Sequence, residues 1–348
     1  MHICTKVFRV LIILNFLVFF SCSKKKNDAI DPAFATSSVQ EDADDCAIWI
    51  HPTDRSLSLI IGNDNEKKGG LYLWDFSGKE IFRTEHVKEP MHMDVRYGMR
   101  VGNQKVDIVA CPIRGTNIIK VFKINPDSRT LTDITTTGGI KTGFSDEPYG
   151  FCLYKDKNTG NIYAFLSKNE AKANIHQILL EDDGSGQVMG SLVRSFGGEF
   201  TKSVVEGMCA DDDQGFFYMA DQHYAVLKFD ADPTSKPEPH SIFATDVHGL
   251  RKGLSLYTCD DGKGYILLST PGDDLIKVYE REGENHFVQN IEKNGSSSTD
   301  GIDSTSCAIP PKFPYGFLVC HNKPKKNFVI YSWEEIARDK LLKCNSCP

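Results

Sequence analysis

Short runs in which apolar and polar residues alternate recur along most of the chain. The clearest unit has an apolar run at 150–154, a polar turn at 157–160 and a second apolar run at 162–167. An apolar period of two residues is typical of β-strands, and polar turns between such runs are typical of hairpins. Similar units begin near Ile48, Asp94, Gly207, Gly253 and Ile302.

A further short alternating run follows each of these units. The runs lie at 71–74, 119–124, 175–178, 226–229, 276–279 and 328–331. The units start 46 to 57 residues apart, which is the spacing of four-stranded propeller blades. We therefore predict an all-β, six-bladed β-propeller over residues 41–340, because two β-sandwiches would not explain one unit repeated across the chain. The best helical candidate is the short segment 333–342.

Composition and charge narrow the class of protein. The 348 residues are 40% hydrophobic and 25% charged, which is ordinary globular usage and excludes wholesale disorder and a polytopic membrane protein. Forty basic residues against 47 acidic residues give a net charge of -7. Because this charge disfavours attachment to a nucleic acid backbone, we expect no nucleic acid partner. We also expect a monomer.

The N-terminus has the pattern of an export signal. Basic residues Lys6 and Arg9 precede an apolar run at 10–20, and Ser21-Cys22 follows directly. This run is too short for a permanent membrane span. We predict a lipoprotein signal peptide over 1–22, lipidation of Cys22 and a polar linker over 23–40. The protein would then be an outer-membrane or periplasmic lipoprotein that contacts the membrane only through its anchor; plain secretion and a retained anchor are the alternatives.

The chain has 11 cysteines, and export permits disulfides. Removal of Cys4 and lipidation of Cys22 would leave an odd number. Most of the others lie in apolar strand-like runs, where cysteine behaves as a small core residue. Cys344 and Cys347 form the one close pair, in the C-terminal tail at 341–348. We expect a local disulfide or a frayed tail there rather than a redox or zinc site.

Acidic residues occur where the predicted inner strands begin, and these points converge on the central face of a propeller. Familiar signatures of zinc peptidases, serine hydrolases and nucleotide-binding loops are absent. Oxygen ligands from several blades could hold a hard cation at the axis, which favours calcium. Aspartate also favours turns and caps, so each residue alone has a structural interpretation. The acidic residues at these points are Asp44, Asp45, Asp94, Asp146, Glu147, Glu206, Asp300 and Asp303.

Basic residues occupy comparable positions at Lys67, Arg114 and Lys168. Arginine can bind two phosphate oxygens at once, and calcium can neutralise others. Acidic and basic groups on one face would therefore suit a phosphate ester, although each basic residue alone is also typical of a solvated surface.

The sequence resembles a known family, the β-propeller phytases. The resemblance covers residues 44–339. It is carried by DDCAIW at 44–49, VDIVA at 106–110, DEPYGF at 146–151, EGMCADD at 206–212, DGKGY at 261–265 and TDGID at 299–303. The resemblance implies six blades around a calcium-lined cleft, in which a calcium-bound water hydrolyses the phosphate monoesters of phytate, myo-inositol hexakisphosphate.

The resemblance also implies roles for individual residues. The implied phosphate-binding residues are Lys67, Arg114, Tyr149 and Lys168. Together with Glu206 they form the implied catalytic set. The implied calcium ligands or water-activating residues are Asp44, Asp45, Glu206, Asp221, Asp300 and Asp303. Tyr149 could equally be a core aromatic residue whose hydroxyl is hydrogen-bonded.

Several positions depart from the family pattern. Leu250-Arg251-Lys252 stands where the family usually carries Asp-x-Glu, and Pro271, Gln222 and Asn322 replace polar or acidic residues. If the register holds, Lys252 and calcium should exclude each other; otherwise Lys252 turns outward into solvent. A second hypothesis is therefore a degenerate, non-catalytic propeller that binds a ligand or protein at the cell envelope.

Overall fold

The strands follow one another from one end of the chain to the other. The computed structural model describes residues 29–348 except 86 and 146. The strands of the first half are β1 (Phe34–Ala35), β2 (Ala43–Trp49), β3 (Leu59–Asp64), β4 (Gly70–Trp74), β5 (Glu80–Arg83), β6 (Asp94–Val101), β7 (Gln104–Ile113), β8 (Ile118–Asn125), β9 (Thr130–Asp133), β10 (Ile140–Lys141), β11 (Pro148–Lys155), β12 (Ile162–Lys168), β13 (Ile175–Asp182) and β14 (Val188–Phe196).

The second half continues the same pattern. Its elements are β15 (Val205–Asp211), β16 (Phe216–Asp221), β17 (Val226–Asp230), β18 (Ser241–Phe243), β19 (Leu254–Thr258), β20 (Gly264–Thr270), β21 (Leu275–Glu280), β22 (Phe287–Ile291), β23 (Ile302–Thr305), β24 (Phe317–Asn322), β25 (Asn327–Ser332) and the helix α1 (Trp333–Ala337). Single 3-10 turns lie at Arg55–Leu57, Gly198–Phe200 and Lys323–Lys325.

Within the described residues the strands form six antiparallel sheets, the blades of a propeller. Blades 1 to 5 begin with β2, β6, β11, β15 and β19, and blade 6 begins with β23. These first strands contact one another around the ring, and β23 meets β2 to close it. The predicted six-bladed, all-β fold is confirmed. The six additional runs predicted from the sequence are the third strands β4, β8, β13, β17, β21 and β25.

Ring closure uses a segment that the sequence predicted to be a linker. Strand β1 pairs with β25 as the outermost strand of blade 6, with Phe34 opposite Ile330. Ile30 and Val39 are buried. The described part of the predicted linker, residues 29–40, therefore packs on the propeller, because it completes a sheet. The predicted signal peptide and Cys22 lie outside the described residues. Among the residues described, no helix has the length and apolar character needed to cross a membrane.

The C-terminal tail also differs from expectation. Cys344 is bonded to Cys259 and Cys347 to Cys307, so the tail is tied to blades 5 and 6 and contains no local disulfide. The helix ends at Ala337, earlier than predicted, since Arg338 has a φ of 45°. The free cysteines of the described chain are all buried, as expected for small core residues: Cys46, Cys111, Cys152, Cys209 and Cys320.

The apolar core is divided into wedges between neighbouring blades. One cluster joins blades 3 and 4, where the Phe165 and Phe217 rings stack with centroids 4.2 Å apart. Another joins blades 5 and 6, where Tyr257 stacks on Trp333 at 3.7 Å. Each wedge requires both of its blades, since one face of a sheet alone would remain exposed to water. The blades are consequently held in fixed positions around the axis.

Candidate active site

The candidate site lies where the six inner strands begin. Tyr149 lies at the start of β11, Glu206 at the start of β15, Lys252 two residues before β19, and Asp300 two residues before β23. Each is followed directly by a glycine. Because the same repeated position brings each side chain to the axis, residues far apart in sequence become neighbours.

Two of these glycines are required by close packing. A Cβ atom on Gly207 would lie 1.7 Å from the carbonyl oxygen of Lys252, and one on Gly301 would lie 2.2 Å from Oδ1 of Asp45. Neither distance is possible for a real side chain. The missing side chain therefore allows the next site residue around the ring to approach the backbone. The Gly301 N–H also donates to the Asp44 carbonyl at 3.1 Å.

Glu206 is the central carboxylate of the site. Its Oε2 accepts hydrogen bonds from both the Lys252 ammonium and the Gln222 side-chain amide. Its Oε1 lies 3.8 Å from Nε2 of His92. The side chain is only 4% exposed. Glu206 is therefore a buried carboxylate whose charge is balanced by the protein itself.

His92 bridges two carboxylates. Its Nδ1 lies 3.3 Å from Oδ2 of Asp45, which also accepts the Met93 N–H at 3.0 Å. Burial disfavours a charged imidazole, but Asp45, Asp44 and Glu206 outweigh burial and raise the pKa of His92 to about 9. For Lys252, burial is likewise outweighed by Glu206, and its pKa is raised. At neutral pH the cluster thus contains two cations of its own.

Two aspartates, Asp44 and Asp300, lie in the same cluster as Lys252 and Glu206. Burial and the charge of Asp44 raise the pKa of Asp300 to about 6, although Lys252 opposes this shift. Burial acts on Asp44 in the same direction, but His92 and His321 outweigh it and lower its pKa. Burial lowers the pKa of His321 to about 4, so this imidazole is neutral at neutral pH. Its Nδ1 lies 3.7 Å from Oδ2 of Asp300.

The carboxylates differ in how well they suit calcium. Asp44 and Asp300 present neighbouring negative charges, and a hard cation would relieve their repulsion. The oxygens of Glu206 are different, since Oε2 already accepts an ammonium and an amide. Among the described residues, no group of three or more Asp, Glu, His or Cys side chains is placed so that it could hold a metal ion by itself. The cluster therefore offers a cation the carboxylates of Asp44 and Asp300 as a partial ligand set, whereas Oε2 of Glu206 is already occupied.

The predicted phosphate-binding residues lie on the same face. The end of each second strand pairs with the start of the first, as Asp64 does with Ala43 and Lys168 with Pro148. The hairpins that follow these second strands carry the exposed Lys67 and the half-buried Arg114.

The predicted phosphate-binding residues differ in whether their polar groups already have partners. The Arg114 guanidinium has no hydrogen-bond partner within the described part of the chain, whereas the Lys168 ammonium pairs with Glu170. The hydroxyl of Tyr149 is 3.5 Å from Nε2 of Gln222. Burial and the charge of Glu206 raise the pKa of Tyr149 well above its ordinary value, so its phenol remains a hydrogen-bond donor.

Two of the predicted metal ligands lie in other surroundings. The Asp221 carboxylate is fully buried and accepts the N–H groups of Lys202, Ser203 and His223. Asp64 makes the equivalent contacts in blade 1. Asp221 is thus a loop cap, and its oxygens are occupied.

Asp303 lies deeper along the axis, where it ties blades together. Its carboxylate accepts the Ile48 N–H at 2.8 Å and the Ser255 hydroxyl at 3.0 Å. Burial, together with the charge of Asp94, raises its pKa to about 7. Neither Asp221 nor Asp303 joins the cluster at the strand starts, whereas Asp44, Asp45, Glu206 and Asp300 do.

Two histidines of the site are not among the residues predicted from the sequence. His92 and His321 are both buried, and Nε2 of each has no hydrogen-bond partner among the described residues. Their positions relative to the strands are the feature of the sequence that could have identified them. His92 lies two residues before β6, where the other blades carry site residues, and His321 is the penultimate residue of β24.

An axial cavity of about 320 Å³ lies beneath the cluster. Asp45 and His92 line one end, and Ser346, Cys347 and Pro348 line the other. The disulfide-bonded tail therefore covers the end of the cavity opposite the candidate site.

The chain is similar in sequence and in fold to known proteins. The chain is 35% identical over 322 residues to the 3-phytase of Bacillus subtilis (strain 168), covering 87% of this chain and 82% of that protein. A luciferin-regenerating enzyme shares the fold with a TM-score of 0.53 and 12% identity, covering 84% of this chain and 91% of the other. A β-propeller domain of Cps50 (Swd1) from Myceliophteria thermophila has a TM-score of 0.48 and 12% identity, with 83% of each chain covered. The phytase family model matches residues 15–344, and the chain belongs to the phytase family.

Proposed function

We propose that the protein hydrolyses phosphate monoesters of phytate at the face where the inner strands begin, with Ca²⁺ as cofactor. Family membership makes the chain a phosphoric monoester hydrolase. The observation that carries the location is the convergence of Asp44, Glu206 and Asp300 on one face with the hairpins of Lys67 and Arg114. A cleft that combines carboxylates with cationic side chains suits a polyanionic ester.

The residues of the chain divide the work of phosphate binding. Arg114 would bind two oxygens of one phosphate with its planar guanidinium, and Lys67 and Lys168 would act as point charges on neighbouring phosphates. Tyr149 would donate a hydrogen bond from its phenol. Asp44 and Asp300 would hold Ca²⁺, with Asp45 beside them, and the ion would supply neutralisation of phosphate charge.

Hydrolysis of the ester exchanges one bond to phosphorus for another. A water oxygen forms a bond to phosphorus, the bond from phosphorus to the ester oxygen breaks, and the inositol oxygen leaves with a proton while inorganic phosphate is released. Such a transfer requires charge neutralisation and a positioned water more than a covalent nucleophile.

The direct test is release of inorganic phosphate from phytate by the purified protein. We expect release in the presence of Ca²⁺ and its loss in excess chelator, with recovery when Ca²⁺ is restored. Tight phytate binding without release under all these conditions would instead support the non-catalytic propeller. Release that is unaffected by chelation would contradict the calcium part of the proposal.

We also propose that the mature protein is a lipoprotein anchored through Cys22, on the basis of the N-terminal pattern. Cys22→Ser would remove the acylated thiol, so we expect the variant to move from the membrane fraction to the soluble fraction. Immunoblots of fractionated cells measure this. Unchanged membrane partitioning of the variant would exclude Cys22 as the anchor.

A further inference from the structure

We infer that Lys252 is a resident cation of the active site, whose ammonium occupies the place beside Glu206 that a divalent cation would otherwise take. The inference rests on the proposed function only for the location of the calcium site. It predicts that the wild-type protein binds fewer calcium ions than its acidic residues suggest.

Lys252 contacts Glu206 directly. The Lys252 ammonium and the Gln222 amide both donate to Oε2 of Glu206. The Lys252 side chain is 14% exposed and that of Glu206 is 4% exposed. A calcium ion on this oxygen would lie within a few ångströms of the ammonium, and like charges at that distance repel strongly in a desolvated site.

The Lys252 side chain cannot easily leave this position. Its N–H donates to the Ser269 carbonyl at 3.1 Å, and the next residue, Gly253, donates to the Asp300 carbonyl at 3.0 Å. Its own carbonyl packs against Gly207. The backbone is therefore fixed from both sides. Rotation of the side chain into solvent would leave the buried Glu206 charge without its ammonium, which is costly.

The charge of Lys252 also acts on the rest of the cluster. Lys252 also interacts electrostatically with Asp300 and Asp44. An ammonium carries one positive charge and three rotatable N–H donors, so it can balance Glu206 and still offer a donor to a substrate phosphate. With Lys252 beside Glu206, the carboxylates that remain for calcium are those of Asp44 and Asp300.

The test is a calorimetric titration of Ca²⁺ into four proteins. Lys252→Glu should bind at least one more ion per chain than wild type, because it replaces an ammonium by a carboxylate beside Glu206. Lys252→Gln should tighten calcium binding at least about tenfold by removing the repulsive charge. Lys263→Glu makes the same charge reversal at an exposed ion pair with Asp261 in the same blade, and should leave stoichiometry and affinity unchanged.

Equal stoichiometry and affinity in wild type and both Lys252 variants would overturn the inference. If Lys252→Glu does not fold, as judged by circular dichroism, an unchanged affinity in Lys252→Gln overturns it alone. Phosphate release from phytate is measured separately on the same preparations. If no protein releases phosphate, the proposed function is contradicted, and the number of bound calcium ions can still be compared. If activity depends on calcium but the number and affinity of bound ions are equal in all proteins, only the inference about Lys252 is contradicted.

Discussion

Arg281→Met is expected to lower the free energy of unfolding by about 3–5 kcal/mol, because it leaves a buried carboxylate without its partner. Arg281 is fully buried, and its Nε and Nη2 each donate to an oxygen of Asp211 at 2.6 Å. The guanidinium also donates to the Lys263 carbonyl at 3.1 Å. These contacts join blade 4 to blade 5 at the end opposite the candidate site.

Urea denaturation measures this change, and two variants serve as controls. Arg83→Met removes an exposed arginine that pairs with Glu80 at 3.7 Å, and should change stability by no more than about 0.5 kcal/mol. The double variant Asp211→Asn with Arg281→Met should be less destabilised than the two single changes added together, since no buried charge is then left unpaired and the other partner of Arg281, Asp213, is exposed. A loss below about 1 kcal/mol in Arg281→Met would show that water or a neighbouring group compensates the Asp211 charge.

The blades could be predicted from the sequence because their signal is local and repeated. A strand that is buried on one or both faces needs apolar residues at fixed spacing, and each turn needs polar residues. Strand β1 carries no such signal. It is two residues long, and it exists only because β25 presents an unpaired edge at the place where the ring closes. Its pairing depends on contacts between opposite ends of the chain.

The disulfides were unpredictable for a related reason. Cys344 and Cys347 are close in sequence, but their partners lie 85 and 40 residues away. The short spacing between Cys344 and Cys347 favours a disulfide between them only if the C-terminal tail does not pack on the blades. Once the tail lies across blades 5 and 6, the nearest thiols belong to Cys259 and Cys307. Pairing therefore follows from the packed fold and not from the sequence pattern.

The candidate site was partly predictable. The repeated strand starts placed Asp44, Glu206 and Asp300 in one predicted group, and these three carboxylates lie near one another in the structure. The resemblance added Asp221, and the sequence could not separate it from the site carboxylates, because aspartate at the end of a strand can cap a loop with the same sequence neighbours. The pattern left open whether Lys252 points inward, and the structure answers this with its contact to Glu206.

Arg114→Lys is expected to lower kcat/KM for phytate at least about tenfold, equivalent to about 1.4 kcal/mol of transition-state stabilisation. Arg114 follows β7 on the face of the candidate site, and its guanidinium has no partner among the described residues. Its donors are therefore available to a substrate phosphate. Lysine keeps the charge but loses the planar fork that binds two phosphate oxygens together. The loss should thus come from geometry, with the net charge unchanged.

Arg100→Lys is the matched control for Arg114→Lys. Arg100 is exposed near the far end of β6, in the same blade but away from the strand starts. It undergoes the same chemical change, so its kcat/KM should equal that of wild type. Thermal melting of both variants tests whether the fold is intact. A role in phosphate binding predicts a lower kcat/KM with unchanged melting, whereas a general loss of stability predicts a lower melting temperature. If Arg114→Lys changes neither kcat/KM nor melting, Arg114 is not a phosphate-binding residue.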